Sequence, residues 1–165
     1  LVEEKMEKNI FPLLPMIIEA KPIINKSLLD NYVNTSLTKN NLKWHIDTTK
    51  SAMNVVMEYI KLAEETGKEV SDAATYSLIL RLRTIYLIDC LKKRKKWTKK
   101  EFLDLIKKIS GSLTAYERYL KSKNKNTKEF KLPINEAKKL MDYNNEKIRE
   151  IEKWLKEKKE QERKE

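Results

Sequence analysis

Residues 76–91 read Tyr-Ser-Leu-Ile-Leu-Arg-Leu-Arg-Thr-Ile-Tyr-Leu-Ile-Asp-Cys-Leu, and the fold follows from this run. Its apolar side chains lie on nearly every side of a helical wheel rather than on one face. A helix of this kind is found in the middle of a bundle, where neighbouring helices cover it. Ser71, just upstream, offers an N-cap. The run therefore predicts the central helix of an all-α protein.

Amphipathic helices are predicted upstream of this central helix. A short one is capped by Ser27 and runs through Leu37. A longer one runs from Asn41 to Thr66, and Gly67 follows it as a left-handed C-terminal cap would. The apolar face of the longer helix repeats at alternating spacings of four and three and comprises Leu42, Ile46, Thr49, Met53, Val56, Ile60 and Ala63.

More helices are predicted downstream. Thr98 and Glu101 form a capping box for a helix that ends at Gly111, so the Glu101 carboxylate is expected to be engaged by its own helix start. A shorter helix follows, and a last one begins after Pro133 and keeps an apolar repeat as far as Leu155. The predicted fold class is an all-α antiparallel helical bundle of about five to six helices.

The N-terminal stretch is predicted to differ from the bundle. Pro12, Pro15 and Pro22 fall within residues 11–24, and each disfavours helix at the residue before it. We expect an extended, Pro-rich arm over residues 1–26 and a single helical domain over residues 27–160. The chain begins with Leu1, so either an initiator methionine has been removed or this is a piece of a longer protein.

Composition excludes several classes of protein. The longest uncharged stretch near the start, residues 9–18, is shorter than the roughly 20 apolar residues that cross a bilayer. The polar start does not resemble a secretory signal. Cys90 is the only cysteine, which excludes an internal disulfide. We therefore expect a cytoplasmic protein without a membrane partner, and the Lys and Glu content also suits a thermophile.

Positive charge is concentrated in the middle of the chain. Residues 71–131 carry 17 Lys and Arg against 6 Asp and Glu, which accounts for the whole net charge of +11. A second group of cations, Lys121, Lys123, Lys125, Lys128 and Lys131, falls in a polar segment. The first group surrounds Trp97 and is called the basic corner below: Lys92, Lys93, Arg94, Lys95, Lys96, Lys99 and Lys100.

Three interpretations of the basic corner remain open. Concentrated cations beside an aromatic side chain suit RNA, single-stranded DNA or a nucleotide, whose phosphates pair with lysine while bases stack. The corner is otherwise a solvated surface with Trp97 folded back onto the bundle. An acidic protein partner is the third alternative.

Arg81, Arg83 and Asp89 interrupt the most apolar helix. Arg81 and Arg83 point about 200° apart, so at least one faces the packed interior or a groove. A buried charge is costly unless it is paired. One of the arginines is therefore expected to be buried against a carboxylate, with Asp89 as a candidate, or to be offered to a phosphate in a groove lined by Tyr76 and Tyr86.

Motifs of catalysis are missing from the sequence. His45 is the only histidine, and it lies in a helix beside Trp44. There is no glycine-rich phosphate loop, no serine elbow and no paired Cys or His ligands. The sequence predicts no catalytic residue, no metal site and no cofactor, so we do not expect the chain to be an enzyme by itself.

Residues 76–89, preceded by the helix that carries Trp44 and His45, resemble the helical C-terminal part of archaeal nucleotidyltransferase-like proteins, which is similar to the HEPN class. The resemblance covers roughly residues 27–131. It implies a non-catalytic half that contacts substrate beside an upstream catalytic domain with a Gly-Ser motif and carboxylates. HEPN nucleases carry an arginine followed a few residues later by histidine, whereas Asp89 stands at that distance from Arg83. The resemblance therefore does not imply RNase activity.

These observations lead to one preferred hypothesis and one alternative. The preferred hypothesis is a nucleic-acid- or nucleotide-associated module that meets phosphate through Arg81, Arg83, the basic corner, Lys123 and Lys125. The alternative is a structural or oligomerisation bundle, such as a homodimer, without a ligand.

Overall fold

The computed structural model describes residues 2–11, 13–21, 23–124 and 132–163. Helices take up 80% of these residues and none of them lies in a strand, which confirms the all-α prediction against a usual helical content of about 30–35%. The helices in the described ranges are α1 (Val2–Lys8), α2 (Leu13–Glu19), α3 (Lys26–Val33), α4 (Lys39–Thr66), α5 (Asp72–Lys92), α6 (Lys99–Ser110), α7 (Thr114–Asn124) and α8 (Ile134–Gln161).

Helix α4 begins two residues earlier than predicted because Thr38 and Asn41 cap it reciprocally. The Asn41 amide donates to the Thr38 hydroxyl at 3.2 Å, and the Thr38 amide donates to the Asn41 side-chain oxygen at 2.9 Å. At the other end Gly67 adopts the left-handed conformation, as predicted, with φ of 62°. All seven positions predicted for the apolar face of α4 are buried.

Helix α5 lies between the other long helices, as its sequence predicts. Ser71 caps it by accepting a hydrogen bond from the Ala74 amide at 3.2 Å. Its side chains enter two hydrophobic cores. The larger core lies among α4, α5, α6, α7 and the start of α8. The smaller core joins α1 and α2 to the first half of α4 and the C-terminal halves of α5 and α8.

The prediction of an extended N-terminal arm is wrong for the residues described. Two short helices form there, and Pro15 lies within the first turn of α2, where a missing amide donor costs no helical hydrogen bond. Met6, Ile10 and Leu14 are almost completely buried in the smaller core. Pro12 and Pro22 lie outside the described residues. The arm therefore packs as part of the helical core.

The start of α3 also differs from the prediction. Asn25 rather than Ser27 is the N-cap, and its side chain accepts from the Leu28 amide at 3.2 Å. Asn25 has a positive φ of 56°, a conformation that asparagine tolerates better than serine. The helix ends at Val33 instead of continuing through Leu37.

The C-terminal helices follow the sequence closely. Thr98 caps α6, and Gly111 ends it with φ of 88°. Asn144, which interrupts the apolar seam of α8, is completely buried and donates to the Leu78 carbonyl at 3.2 Å. None of the helices in the described ranges has both the length and the apolar character needed to cross a membrane.

Candidate nucleic-acid interface

The basic corner is a tight connection between the end of α5 and the start of α6. The Arg94 amide donates to the Leu91 carbonyl at 3.2 Å and the Lys95 amide to the Cys90 carbonyl at 3.0 Å. Arg94 itself has a positive φ of 52°. These backbone bonds hold the chain reversal, so the seven cations of the corner project from a defined turn.

Arg94 ties the corner to the end of α3. Its guanidinium donates to the carbonyls of Val33, Asn34 and Thr35, the last two at 3.4 and 3.3 Å. Carbonyl groups at a helix C-terminus carry partial negative charge and lack helical partners. The charge of Arg94 is therefore used within the fold.

Lys95 is bound to Glu101, whose carboxylate also accepts a hydrogen bond from the Tyr86 hydroxyl, each at 2.7 Å. The bond from Lys95 lowers the pKa of Glu101, and the same bond raises the pKa of Lys95. Burial, followed by the bond to Glu101, raises the pKa of Tyr86. The expectation that the Glu101 carboxylate serves its own helix start is wrong, because it turns towards Lys95. The helix start keeps one half of the capping box, in which the Thr98 hydroxyl accepts a hydrogen bond from the Glu101 amide at 3.3 Å.

Lys92 lies against the ring of Trp154, a residue for which the sequence predicts no functional contact. Its Nζ is 4.5 Å from the centroid of the Trp154 ring in α8, and the Nζ of Lys158 lies 5.8 Å from the same centroid. Both distances fall within the range of a cation–π interaction. The sequence does show that Trp154 flanks the apolar seam of α8 in a lysine-rich turn. It could not show that Lys92 is the partner, because Lys92 is distant in sequence.

Trp97 is folded back onto the bundle, as the solvated-surface interpretation of the basic corner predicts. The side chain is half-buried against the larger core, and its indole nitrogen is buried without a hydrogen-bond partner among the described residues. The Cζ atom of Arg83 lies 5.4 Å from the ring centroid. Arg83 therefore joins the corner through Trp97, and the ring is shared between the core and this guanidinium.

Four lysines of the corner are exposed. Within the part of the chain that the structure describes, their ammonium groups have neither an ion pair nor a hydrogen bond. Lysines in this state are free to pair with an external anion. They lie at the end of α5, in the connection and in the first turn of α6, and they are Lys93, Lys96, Lys99 and Lys100.

Arg81 lies away from the corner, on the side of α5 that packs against α4. It donates to the Thr48 hydroxyl at 3.2 Å, and its buried Nε has no partner among the described residues. Burial lowers the pKa of its guanidinium. The predicted ion pair is wrong, since neither Arg81 nor Arg83 contacts a carboxylate in the described ranges. Asp89 lies eight residues further along α5 from Arg81, about 12 Å along the helix axis.

Tyr76 and Tyr86, predicted to line one groove, have different neighbours in the described part of the chain. Tyr86 is buried beside Glu101, whereas Tyr76 stacks on Tyr119 of α7 with ring centroids 5.1 Å apart. Lys123 is exposed near the end of α7. Lys125 lies outside the described residues, so the second basic group is described only in part.

His45 is buried at the joint between α4 and the N-terminal arm. Its Nε2 is 2.9 Å from the Asn9 side-chain oxygen, which also accepts from the Phe11 amide at 3.0 Å. Because that oxygen is an acceptor, Nε2 carries the proton of the neutral ring. Burial, and then the nearby charge of Arg81, lower the pKa of His45 to about 4.

Among the described residues no three His, Cys, Asp or Glu side chains come together as a set of metal ligands. The site consists instead of free lysines on a fixed turn, bounded by Trp97, Arg83 and Trp154. This chemistry can bind an anion. No protein-family model, no curated protein and no solved structure matches the chain.

Proposed function

We propose that this chain is a non-catalytic helical module that binds the phosphates of nucleic acid or nucleotides through the basic corner. The observation that carries the proposal is a set of four exposed lysines that form no ion pair or hydrogen bond among the described residues: Lys93, Lys96, Lys99 and Lys100. Such cations repel one another, and a phosphate backbone relieves that repulsion while releasing its own counterions.

The neighbouring contacts support this use of the four lysines. Arg94 and Lys95 bind groups of the protein itself and hold the turn in place. The free lysines are thereby presented from a backbone that need not be ordered on binding. Pre-organisation of this kind reduces the entropy lost when a ligand binds.

Replacing Lys96 and Lys99 with Gln tests the proposal. The variant should bind single-stranded RNA or DNA more weakly, and the slope of log K against log salt should become shallower by about 0.7 for each phosphate that is no longer neutralised. Lys107→Gln together with Lys108→Gln, in the last turn of α6, removes the same charge elsewhere and is the matched control. Equal effects of the two double variants would contradict the proposal, because only the net charge would then matter.

We further propose that the module works beside a nucleotidyltransferase catalytic domain, a suggestion that rests on the resemblance of residues 76–89 alone. The coding sequence upstream of Leu1 tests it. A preceding segment with a Gly-Ser motif and an Asp-x-Asp pair is the expected result. An upstream segment without these motifs would contradict the link to a nucleotidyltransferase domain but not phosphate binding by the basic corner.

A second candidate function is self-association, favoured by a stripe of uncharged side chains on α4. Trp44, Val55 and Leu62 are 56%, 54% and 54% exposed, and together with Tyr59 they lie within about 60° of one another around the helix. An uncharged stripe of this kind can pack against its own copy in a symmetric dimer.

Sedimentation of the purified chain tests this second candidate. A dimer that dissociates on replacing Val55 and Leu62 with Glu is the expected result. A monomer at all concentrations would remove homodimerisation from consideration.

A further inference from the structure

A second basic surface lies where the first turn of α4 meets the last turns of α8. A cavity of about 420 Å³ opens there, and a neighbouring cavity of about 220 Å³ shares part of its wall. Leu37, Ile46 and Leu155 provide apolar walls, and all three are buried. Around them stand five lysines, and this surface is called the lysine cleft below: Lys39, Lys43, Lys156, Lys158 and Lys159.

The carboxylates of the lysine cleft are already paired. Three of them line the two cavities, and each has a lysine within 4 Å. The remaining positive charge of the cleft is therefore not cancelled by its own acidic residues. The pairs are Lys43–Asp47 at 2.5 Å, Lys50–Glu152 at 2.6 Å and Lys158–Glu162 at 3.6 Å.

Three lysines of the cleft form no ion pair within 4 Å and no hydrogen bond with a carboxylate of the described residues: Lys39, Lys156 and Lys159. Lys39 lines both cavities, Lys159 the larger one and Lys156 the smaller one. The cleft thus combines an apolar interior with free ammonium groups at its edge. Ligand pockets commonly have this composition, and the larger cavity is within their usual size of about 300–1,000 Å³.

Trp154 connects the lysine cleft to the basic corner. Lys92 of the corner and Lys158 of the cleft both lie against its ring, at 4.5 and 5.8 Å from the centroid. Lys158 also donates to the Leu37 carbonyl at 3.0 Å, so it is fixed between the ring and the cavity. Positive charge therefore continues from the corner over Trp154 to the cleft.

We propose that the lysine cleft is a nucleotide subsite that takes one base of a single strand, whose phosphates continue over Trp154 to the basic corner. The proposal rests on the phosphate-binding function proposed above and names its ligand class. The flat base packs on Leu37 and Leu155, and Lys39 and Lys159 meet the adjoining phosphates. A duplex keeps its bases stacked and paired, whereas a single strand can place a base in a cleft.

Replacing Lys39 and Lys159 with Gln tests the subsite directly. Binding of oligothymidylates of about 16 nucleotides is measured by fluorescence anisotropy over a range of salt concentrations, with a duplex of equal length in parallel. The K96Q/K99Q variant serves as the corner variant and K107Q/K108Q as the charge-matched control. Thermal melting verifies that each variant is folded.

The expected result is that K39Q/K159Q weakens single-strand binding roughly tenfold or more at low salt and makes the salt slope shallower by about 1.4. The control should leave both quantities close to those of the unmodified chain. Duplex DNA should bind more weakly than the single strand.

Two results would overturn the subsite while leaving the proposed function intact. In one, K96Q/K99Q weakens binding but K39Q/K159Q behaves like the control. In the other, the duplex binds as tightly as the single strand. Failure of the unmodified chain to bind any single strand at low salt would overturn the phosphate-binding function and the subsite with it.

Discussion

Lys95 and Lys96 are neighbours in sequence but differ in what surrounds them. Lys95 lies 2.7 Å from a Glu101 oxygen, while Lys96 is exposed without a partner in the described part of the chain. An exposed ion pair of this kind adds little to stability, but it occupies the ammonium group. Whether a lysine can bind a ligand therefore depends on its own contacts. Lys95 and Lys96 carry the same charge, but only the ammonium group of Lys96 is available.

His45 should make the stability of the protein depend on pH between about 6.5 and 4. Burial holds its pKa near 4 in the folded protein, so the unfolded chain binds a proton in this interval and the folded chain does not. Stability therefore falls as pH decreases from about 6.5, by at most about 3 kcal/mol once pH 4 is reached. Urea unfolding of the unmodified chain and of His45→Gln at several pH values measures this.

Because His45 is the only histidine, the difference between the two proteins isolates its contribution from that of the carboxylates. His45→Gln keeps an amide that can donate to Asn9. The variant should lose less stability than the unmodified chain over this interval. Parallel curves for the two proteins would show that His45 titrates equally in the folded and unfolded states.

Arg81→Met should change the free energy of unfolding by less than about 1 kcal/mol, because it strands no carboxylate and removes a partly buried charge whose Nε is unbonded. The single imidazole signal of His45 provides a second readout by NMR. Its pKa should rise when the Arg81 charge is removed. A loss of roughly 3 kcal/mol, typical of a broken buried ion pair, would contradict this description of Arg81.

At the scale of helices, the chain ends α4 and α6 with glycines in the left-handed conformation. Gly67 has φ of 62°, and a Cβ atom there would meet nothing within 4 Å. Gly67→Ala should therefore destabilise by about 1 kcal/mol through backbone strain alone. Gly67→Asn should cost less, since asparagine tolerates this conformation. Thermal or urea unfolding of both variants measures the loss of stability. If Gly67→Ala were as stable as the unmodified chain, the predicted backbone strain would be contradicted.

Helices α4 to α8 could be predicted because their signals are local: a cap, an apolar repeat and a terminating glycine. The N-terminal arm could not, because Pro15 disfavours a helix only when it falls beyond the first turn. The partners of the corner cations could not be predicted either. Arg94 binds carbonyls of residues 33–35, and Lys92 lies against Trp154, so both contacts depend on the packing of helices far apart in sequence.

In the whole molecule, the segment that carries the excess positive charge is not the segment that builds the lysine cleft. The net charge of +11 comes from residues 71–131, yet the lysine cleft is built from α4 and α8, where the charge of the sequence is nearly balanced. Folding brings these lysines together, and each of the three carboxylates beside them pairs with one lysine. The pairs are Asp47 with Lys43 and Glu162 with Lys158, both within the cleft, and Glu152 with Lys50 outside it. The basic surface is therefore larger than the sequence alone indicates.

Phosphate binding by the basic corner is best tested by the salt dependence of single-strand binding by the unmodified chain. Four free lysines in the corner that each neutralise one phosphate predict a slope of log K against log salt of about −3, and the lysine cleft would make it steeper. The slope can be measured by titrating a labelled oligonucleotide at several salt concentrations. Absence of binding at low salt, or binding that does not change with salt, would contradict phosphate binding and leave the corner as a solvated surface.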